Sequence, residues 1–142
     1  MWVVLDTNVL ISALISREGT PGHLLSAVKR TDLTLVTSTY QLEELREVLG
    51  RDRLKPYIRP EEARDLHYNL ESVGIPVIGP RKVDLSHDPE DNPVLATAIA
   101  GRADLIVSGD KNDMLVLGRA GDIPIITPGE AIEWLHLNTG RS

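Results

Sequence analysis

Five short apolar runs are set apart by longer amphipathic stretches, and this alternation limits the fold more than any other feature. The runs are Val3-Val4-Leu5, Leu33-Thr34-Leu35-Val36, Ile75-Pro76-Val77-Ile78, Leu105-Ile106-Val107 and Ile123-Pro124-Ile125-Ile126. They are rich in β-branched residues and nearly free of polar interruption, as strands are when a parallel sheet is covered on both faces. Pro76 and Pro124 fall near run starts, where a missing N–H is tolerated, or mark edge strands. The gaps carry helix signals. Ser38-Thr39-Tyr40-Gln41 reads as a capping box opening a helix to Leu49. Pro60-Glu61-Glu62 places Pro and acids in a first turn, and Gly74 ends that helix. Asp91-Asn92-Pro93 caps a helix from Val94 to Ala100, closed by Gly101. Thr127-Pro128-Gly129-Glu130 is a second capping box. Residues 8–15 and 21–30 read as short helices split by Gly19-Thr20-Pro21-Gly22. Strands alternating with helices predict an α/β three-layer sandwich with a mostly parallel sheet of about five strands.

At 142 residues the chain is expected to form one domain spanning 1–142, large enough to bury a core without staples. It has no cysteine, which excludes disulfides, thiolate zinc sites and iron–sulfur clusters and fits a reducing compartment. No apolar run approaches the roughly 20 residues of a membrane helix, and the start lacks a basic, signal-like region. A cytoplasmic protein is expected. With two Trp, three Tyr and no Phe, an aromatic base-stacking platform is not expected. A net charge of −6 weighs against a non-specific nucleic-acid binder. It does not weigh against a metal-dependent nuclease, whose acids are covered by cations.

In an open α/β sheet, ligands bind beyond the carboxyl ends of the strands. Asp6 follows the first apolar run directly. Asp110 follows Leu105-Ile106-Val107 after Ser108-Gly109. Asp113 lies three residues on, on the same face of a helical turn. Asp91 opens a helix. Glu44 sits on the flank of the stripe Leu42, Leu45, Val48 and Leu49, whereas Glu43 and Glu47 lie opposite it, so Glu44 is the acid of that helix best placed to reach inward. Residues 84–113 hold seven acids and two bases, a local charge of −5. Carboxylates gathered in one cleft repel unless protons or cations intervene. Oxygen ligands without Cys suit hard cations, Mg²⁺ or Mn²⁺. Residues 46–59 carry five bases against two acids, and Arg46, Arg51, Arg53 and Lys55 either contact phosphates or form a solvated face. Asp88, Glu90 and Asp104 read as loop or cap residues. His23, His67, His87 and His136 show no ligand spacing and read as surface or packing residues. Trp2 and Trp134 read as core or interface anchors, and Leu24, Leu25 and Val28 as core.

Taken in order, Asp6-Thr7-Asn8, Glu44-Leu45-Arg46-Glu47-Val48-Leu49, the segment 88–96 (Asp-Pro-Glu-Asp-Asn-Pro-Val-Leu-Ala) and the segment 108–113 (Ser-Gly-Asp-Lys-Asn-Asp) resemble the PIN-domain family, and within it the VapC-like toxins of type II toxin–antitoxin systems. The resemblance runs through Ile-Pro-Ile-Ile-Thr-Pro at 123–128. It implies a Rossmann-like sheet and a metal-dependent endoribonuclease using Mg²⁺ or Mn²⁺. The implied catalytic acids are Asp6, Glu44, Asp91, Asp110 and Asp113, with Asp6, Asp91 and Asp110 on the metal. Asn8 and Ser108 match polar positions that support the ligands. Asn112, between Lys111 and Asp113, departs from the tightest form of the pattern and leaves either Asp110 or Asp113 nearer the metal. The implied partners are an RNA substrate, a small antitoxin and a second copy of the chain joined through the helices of 8–30.

Other classes fit less well. Haloacid-dehalogenase-like phosphatases need a second acid where Asn8 stands. Phosphorelay receivers do not place an acid on a helix as Glu44 is placed. No Gly-rich loop follows Leu5, as a dinucleotide enzyme would require. A catalytically inactive PIN-like module binding RNA or protein remains the alternative. Intact acids at every matching position weigh against it, because unneeded buried carboxylates cost stability.

Overall fold

A computed structural model describes residues 1–30, 32–77, 92–109 and 114–138. The elements run β1 (Trp2–Leu5), α1 (Thr7–Ile15), α2 (Thr20–Lys29), β2 (Thr34–Thr37), α3 (Thr39–Leu49), a 3₁₀ turn (Asp52–Leu54), α4 (Pro60–Val73), β3 (Ile75–Pro76), α5 (Asn92–Gly101), β4 (Leu105–Val107), α6 (Met114–Leu117), β5 (Arg119–Ala120), β6 (Ile123–Ile126) and α7 (Pro128–Asn138). They form one six-stranded sheet in the order β3-β2-β1-β4-β6-β5. Among the described strand pairs, only β5–β6 is antiparallel.

The sheet is covered on both faces, and the pleat shows it residue by residue. Val3 and Leu5 of β1 join one apolar cluster with α1, α2, α3, α4 and α7. Val4, between them, joins the other with α5 and α6. The same division recurs in β4, where Leu105 and Val107 face the first cluster and Ile106 the second. Side chains alternate across a strand, so two buried faces leave no position for a polar residue. Val3, Val4 and Leu5 are accordingly at most 1% exposed, and burial of each is worth about 1.5–3 kcal/mol.

All five expected strands are present, and β5 is a sixth. It forms because Gly121, at φ 59°, opens a two-residue turn into β6. A type II′ hairpin puts glycine at that first turn position. Pro76 lies on the edge strand β3, but Pro124 lies on an inner strand, opposite Arg119. Helix α5 also ends differently from the expectation. Its left-handed residue is Arg102, at φ 50°, not Gly101. Gly101 is required by a close approach: a Cβ there would stand 2.5 Å from a Val36 methyl. Leu24, Leu25 and Val28 are core, as expected, but Trp2 and Trp134 are exposed and anchor no core. Among the described residues, no helix is long and apolar enough to cross a membrane.

Candidate active site

The parallel strands bring their carboxyl ends to one edge of the sheet. From β1 the chain moves outward to β2 and then β3; β4 returns to the opposite side of β1. The order therefore reverses between β1 and β4, the position where open α/β sheets leave a crevice. Asp6 follows β1 and Ser108 follows β4, so the two flank that crevice. Each extends the ladder by one bond: the Asp6 N–H donates to Val107 O at 2.9 Å and the Ser108 N–H to Ile126 O at 2.9 Å. The backbone beneath both residues is thus fixed by the sheet.

Asp6 is 3% exposed and Ser108 fully buried. The Ser108 hydroxyl donates to Asp6 Oδ2 at 2.8 Å. Asp6 occupies the N-cap position of α1 without turning its side chain to the helix N–H groups. Its carboxylate faces the neighbouring strand end instead of serving as a cap. Thr7, next in the chain and also buried, donates its hydroxyl to Glu44 Oε1 at 2.5 Å. Glu44 is half-buried while Glu43 and Glu47 are exposed, so the inward placement read from the apolar stripe of α3 holds. Two carboxylates, one directly after β1 and one on α3, are therefore brought to one end of the sheet, each accepting a hydrogen bond from a hydroxyl.

Helix α3 is itself tied to this edge. Ser38, its N-cap, accepts from the Gln41 N–H at 3.2 Å, and its hydroxyl meets Thr97 Oγ1 of α5 at 2.6 Å. The Gln41 side chain does not complete the expected capping box. It donates from Nε2 to Leu5 O, 2.5 Å away, on the residue before Asp6, and its Oε1 is buried with no hydrogen-bond partner among the described residues. Neither Thr7 nor Gln41 was singled out by the sequence as a site residue. Thr7 meets Glu44 across 37 residues of chain, and Gln41 already had a local explanation as part of a cap.

Of the other expected site residues, Asn8 is exposed at the start of α1 and lines a notch with Ser12, Pro21, Gly109 and Pro128. Asp91, Asp110 and Asp113 lie outside the described residues, as do Asp88, Glu90 and His87. Among the described residues no three His, Cys, Asp or Glu side chains converge. Asp6 and Glu44 nonetheless offer only oxygen donors, the chemistry that suits Mg²⁺ or Mn²⁺.

Of the bases considered for RNA, Arg51 pairs with Glu47 at 3.2 Å and Lys55 with Asp52 at 2.8 Å, while Arg46 and Arg53 are exposed. The Lys55 ammonium, hydrogen-bonded to Asp52, holds that carboxyl below its usual range. Arg46 and Lys55 line a cavity of about 550 Å³ between the end of α3 and α4. It is larger than the notch at Asn8, but none of its lining residues belongs to the carboxylate edge. His67 is a packing residue, bridging Leu42 O of α3 and Glu71 of α4. Asp104 serves structure, accepting from the Trp2 N–H at 2.8 Å, at the end of β1 remote from Asp6.

A family model and one solved structure agree with this architecture. Residues 2–112 match the PIN domain family model. The uncharacterized protein MJ1680 of Methanocaldococcus jannaschii is 30% identical over 111 residues, which cover 78% of this chain and 71% of that protein. The crystal structure of VapBC2 from Rickettsia felis, bound to a DNA fragment from their promoter, contains a chain that overlays with a TM-score of 0.55 at 16% identity, covering 89% of this chain and 98% of that one. FitAcB from Neisseria gonorrhoeae overlays with a TM-score of 0.48 at 18% identity and the same coverage. With strands, crevice and family model in agreement, the chain belongs to the PIN domain family.

Proposed function

We propose that this PIN domain is a metal-dependent endoribonuclease and the toxin half of a toxin–antitoxin pair. The observation that carries the reading is the Ser108–Asp6 bond across the strand-order reversal, with Glu44 brought to the same edge by Thr7. Asp6, Asp91 and Asp110 are the proposed ligands of Mg²⁺ or Mn²⁺, and Glu44 and Asp113 complete the acidic set. A divalent ion held by these acids would supply a bound water of lowered pKa and would stabilise charge at a phosphodiester. The chain's own contribution is positioning. Ser108 fixes the plane of the Asp6 carboxylate, Thr7 fixes Glu44, the ladder bond of Asp6 to Val107 holds the ends of β1 and β4 together, and that of Ser108 to Ile126 ties the end of β4 to β6. Hydrolysis is expected to leave a 5′-phosphate and a 3′-hydroxyl.

The partners follow from the same reading. The similar Rickettsia felis chain belongs to a VapBC2 complex. A small antitoxin covering the acidic cleft of this chain is proposed by analogy, as is a homodimer through α1 and α2.

The test is cleavage of a mixed RNA pool by the purified chain with Mn²⁺, with Mg²⁺ and with EDTA, beside Asp6→Asn and Ser108→Ala. Metal-dependent cleavage should vanish in Asp6→Asn. It should fall about 10- to 100-fold in Ser108→Ala, the usual cost of removing a group that orients a ligand. Millimolar Mg²⁺ should raise the melting temperature of the wild type, because it binds the native state alone, and should do so far less in Asp6→Asn. Cleavage untouched by Asp6→Asn, or products ending in a 2′,3′-cyclic phosphate, would overturn this mechanism. A folded wild type that binds RNA without cutting it would identify a binding module.

A further inference from the structure

We propose that the notch beside Asp6 is the subsite for the nucleoside next to the scissile phosphate, and that Ser12 and Gly109 determine what it accepts. This rests on the ribonuclease reading and adds to it a substrate-contacting surface. The notch holds about 240 Å³ and is lined by Asn8, Val9, Ser12, Pro21, Gly109 and Pro128. It opens at the carboxylate edge: Asn8 is two residues after Asp6, and Gly109 follows Ser108, whose hydroxyl holds Asp6.

Its chemistry favours a nucleoside over a phosphate. None of the six described residues that line it is charged. Asn8 and Ser12 stand four residues apart on α1, hence on one face, and both are exposed. An amide offers donors and an acceptor, and a hydroxyl offers both, a set suited to a base edge or a ribose 2′-hydroxyl. The rings of Pro21 and Pro128, both partly exposed, supply apolar walls. Sites for drug-sized ligands run from about 300 Å³ upward, so this volume suits a single monomer unit.

Gly109 gives an independent indication. Its φ is outside the left-handed region, where among the described glycines only Gly118 and Gly121 lie. A Cβ built on it meets no atom of the described residues within 4 Å. Among the described residues, neither backbone conformation nor packing therefore calls for glycine. A side chain there would stand in the open space of the notch, and its absence keeps that space available.

The experiment titrates the wild type, Ser12→Ala and Gly109→Val with the four ribonucleoside 5′-monophosphates and with inorganic phosphate, in Mg²⁺, following backbone amide resonances. At least one mononucleotide should move the Ser12 and Gly109 signals well beyond any shift that inorganic phosphate, held at the metal beside Gly109, produces. Ser12→Ala should weaken that binding roughly five- to tenfold, the loss of about one hydrogen bond. Gly109→Val should weaken it further, with the melting response to Mg²⁺ retained in both variants. With RNA, both should raise KM and shift the base preference beside the cut more than they lower kcat. Mononucleotides that move these signals no more than phosphate does would overturn the proposal. So would variants that bind and cut as the wild type. If Gly109→Val fails to fold, Ser12→Ala alone decides. If the wild type binds a mononucleotide in the notch but cuts no RNA under any metal, the ribonuclease reading fails and the nucleoside site stands. If it cuts RNA while the variants change nothing, only the notch assignment fails.

Discussion

Helices α3 and α7 begin with the same signature, a hydroxyl residue followed three positions later by a residue able to reach back. At α7 the box closes: the Thr127 N–H donates to Glu130 Oε1 at 3.1 Å and the Glu130 N–H to Thr127 Oγ1 at 3.1 Å. At α3 only the Ser38 half is made. Gln41 is drawn away to the Leu5 carbonyl, and Ser38 has a second partner in Thr97. The first helix end is satisfied within one turn. The second gives up a local bond to join three elements beside the carboxylates. Local rules are expected to yield where a site is assembled, and these two boxes in one chain show the difference directly.

The largest expected effect separates the two ends. Gln41→Met keeps the volume but leaves the Leu5 carbonyl without its buried donor, and should cost about 1–3 kcal/mol of stability in urea unfolding. A cost no greater than that of Glu130→Met would mean that the α3 end is as local as the α7 end. Next, Thr127→Ala removes an exposed cap and should cost about 1 kcal/mol, whereas Ser38→Ala removes a cap and the buried Thr97 contact and should cost more. Equal losses would erase the distinction.

The smallest effect concerns a third helix start. The Arg59 N–H donates to Glu62 Oε1 at 3.1 Å. That backbone bond, with help from the Arg17 and Arg59 side chains, holds the Glu62 carboxyl below its ordinary value of 4.5. A lowered folded value means stability that is fully present above the ordinary value and is lost as pH falls through the lowered one. The melting difference between wild type and Glu62→Gln should therefore be constant near neutrality and shrink below about pH 4.5. A difference unchanged down to pH 3 would remove Glu62 from the comparison.

The same contrast explains what the sequence could and could not reveal. The strands of the sheet core were legible because two buried faces force continuous apolar runs. Residues Arg119-Ala120 carry no such run, and β5 exists only through its turn. Asp6 was legible from its place after a strand, and Glu44 from its angle to the apolar stripe of α3. Thr7 was not, since its partner lies on another element. Gln41 was misassigned because a nearby cap accounted for it, and the burial that makes the Leu5 carbonyl the better partner is a property of the assembled sheet. Pattern reveals which face a residue takes; it does not reveal which of two satisfied arrangements tertiary packing selects.

The Ser108–Asp6 bond joins residues 102 positions apart, and this separation sets when the site can exist. Contacts so distant in sequence close only after most loop-closure entropy has been spent. Asp6 is translated well before β4, and the strand end that holds it is made only when β4 follows. At about 5–20 residues per second, the nascent chain carries its first carboxylate for several seconds without the partner that orients it. The carboxylate edge is thereby kept from assembling until the central pair of strands has been translated.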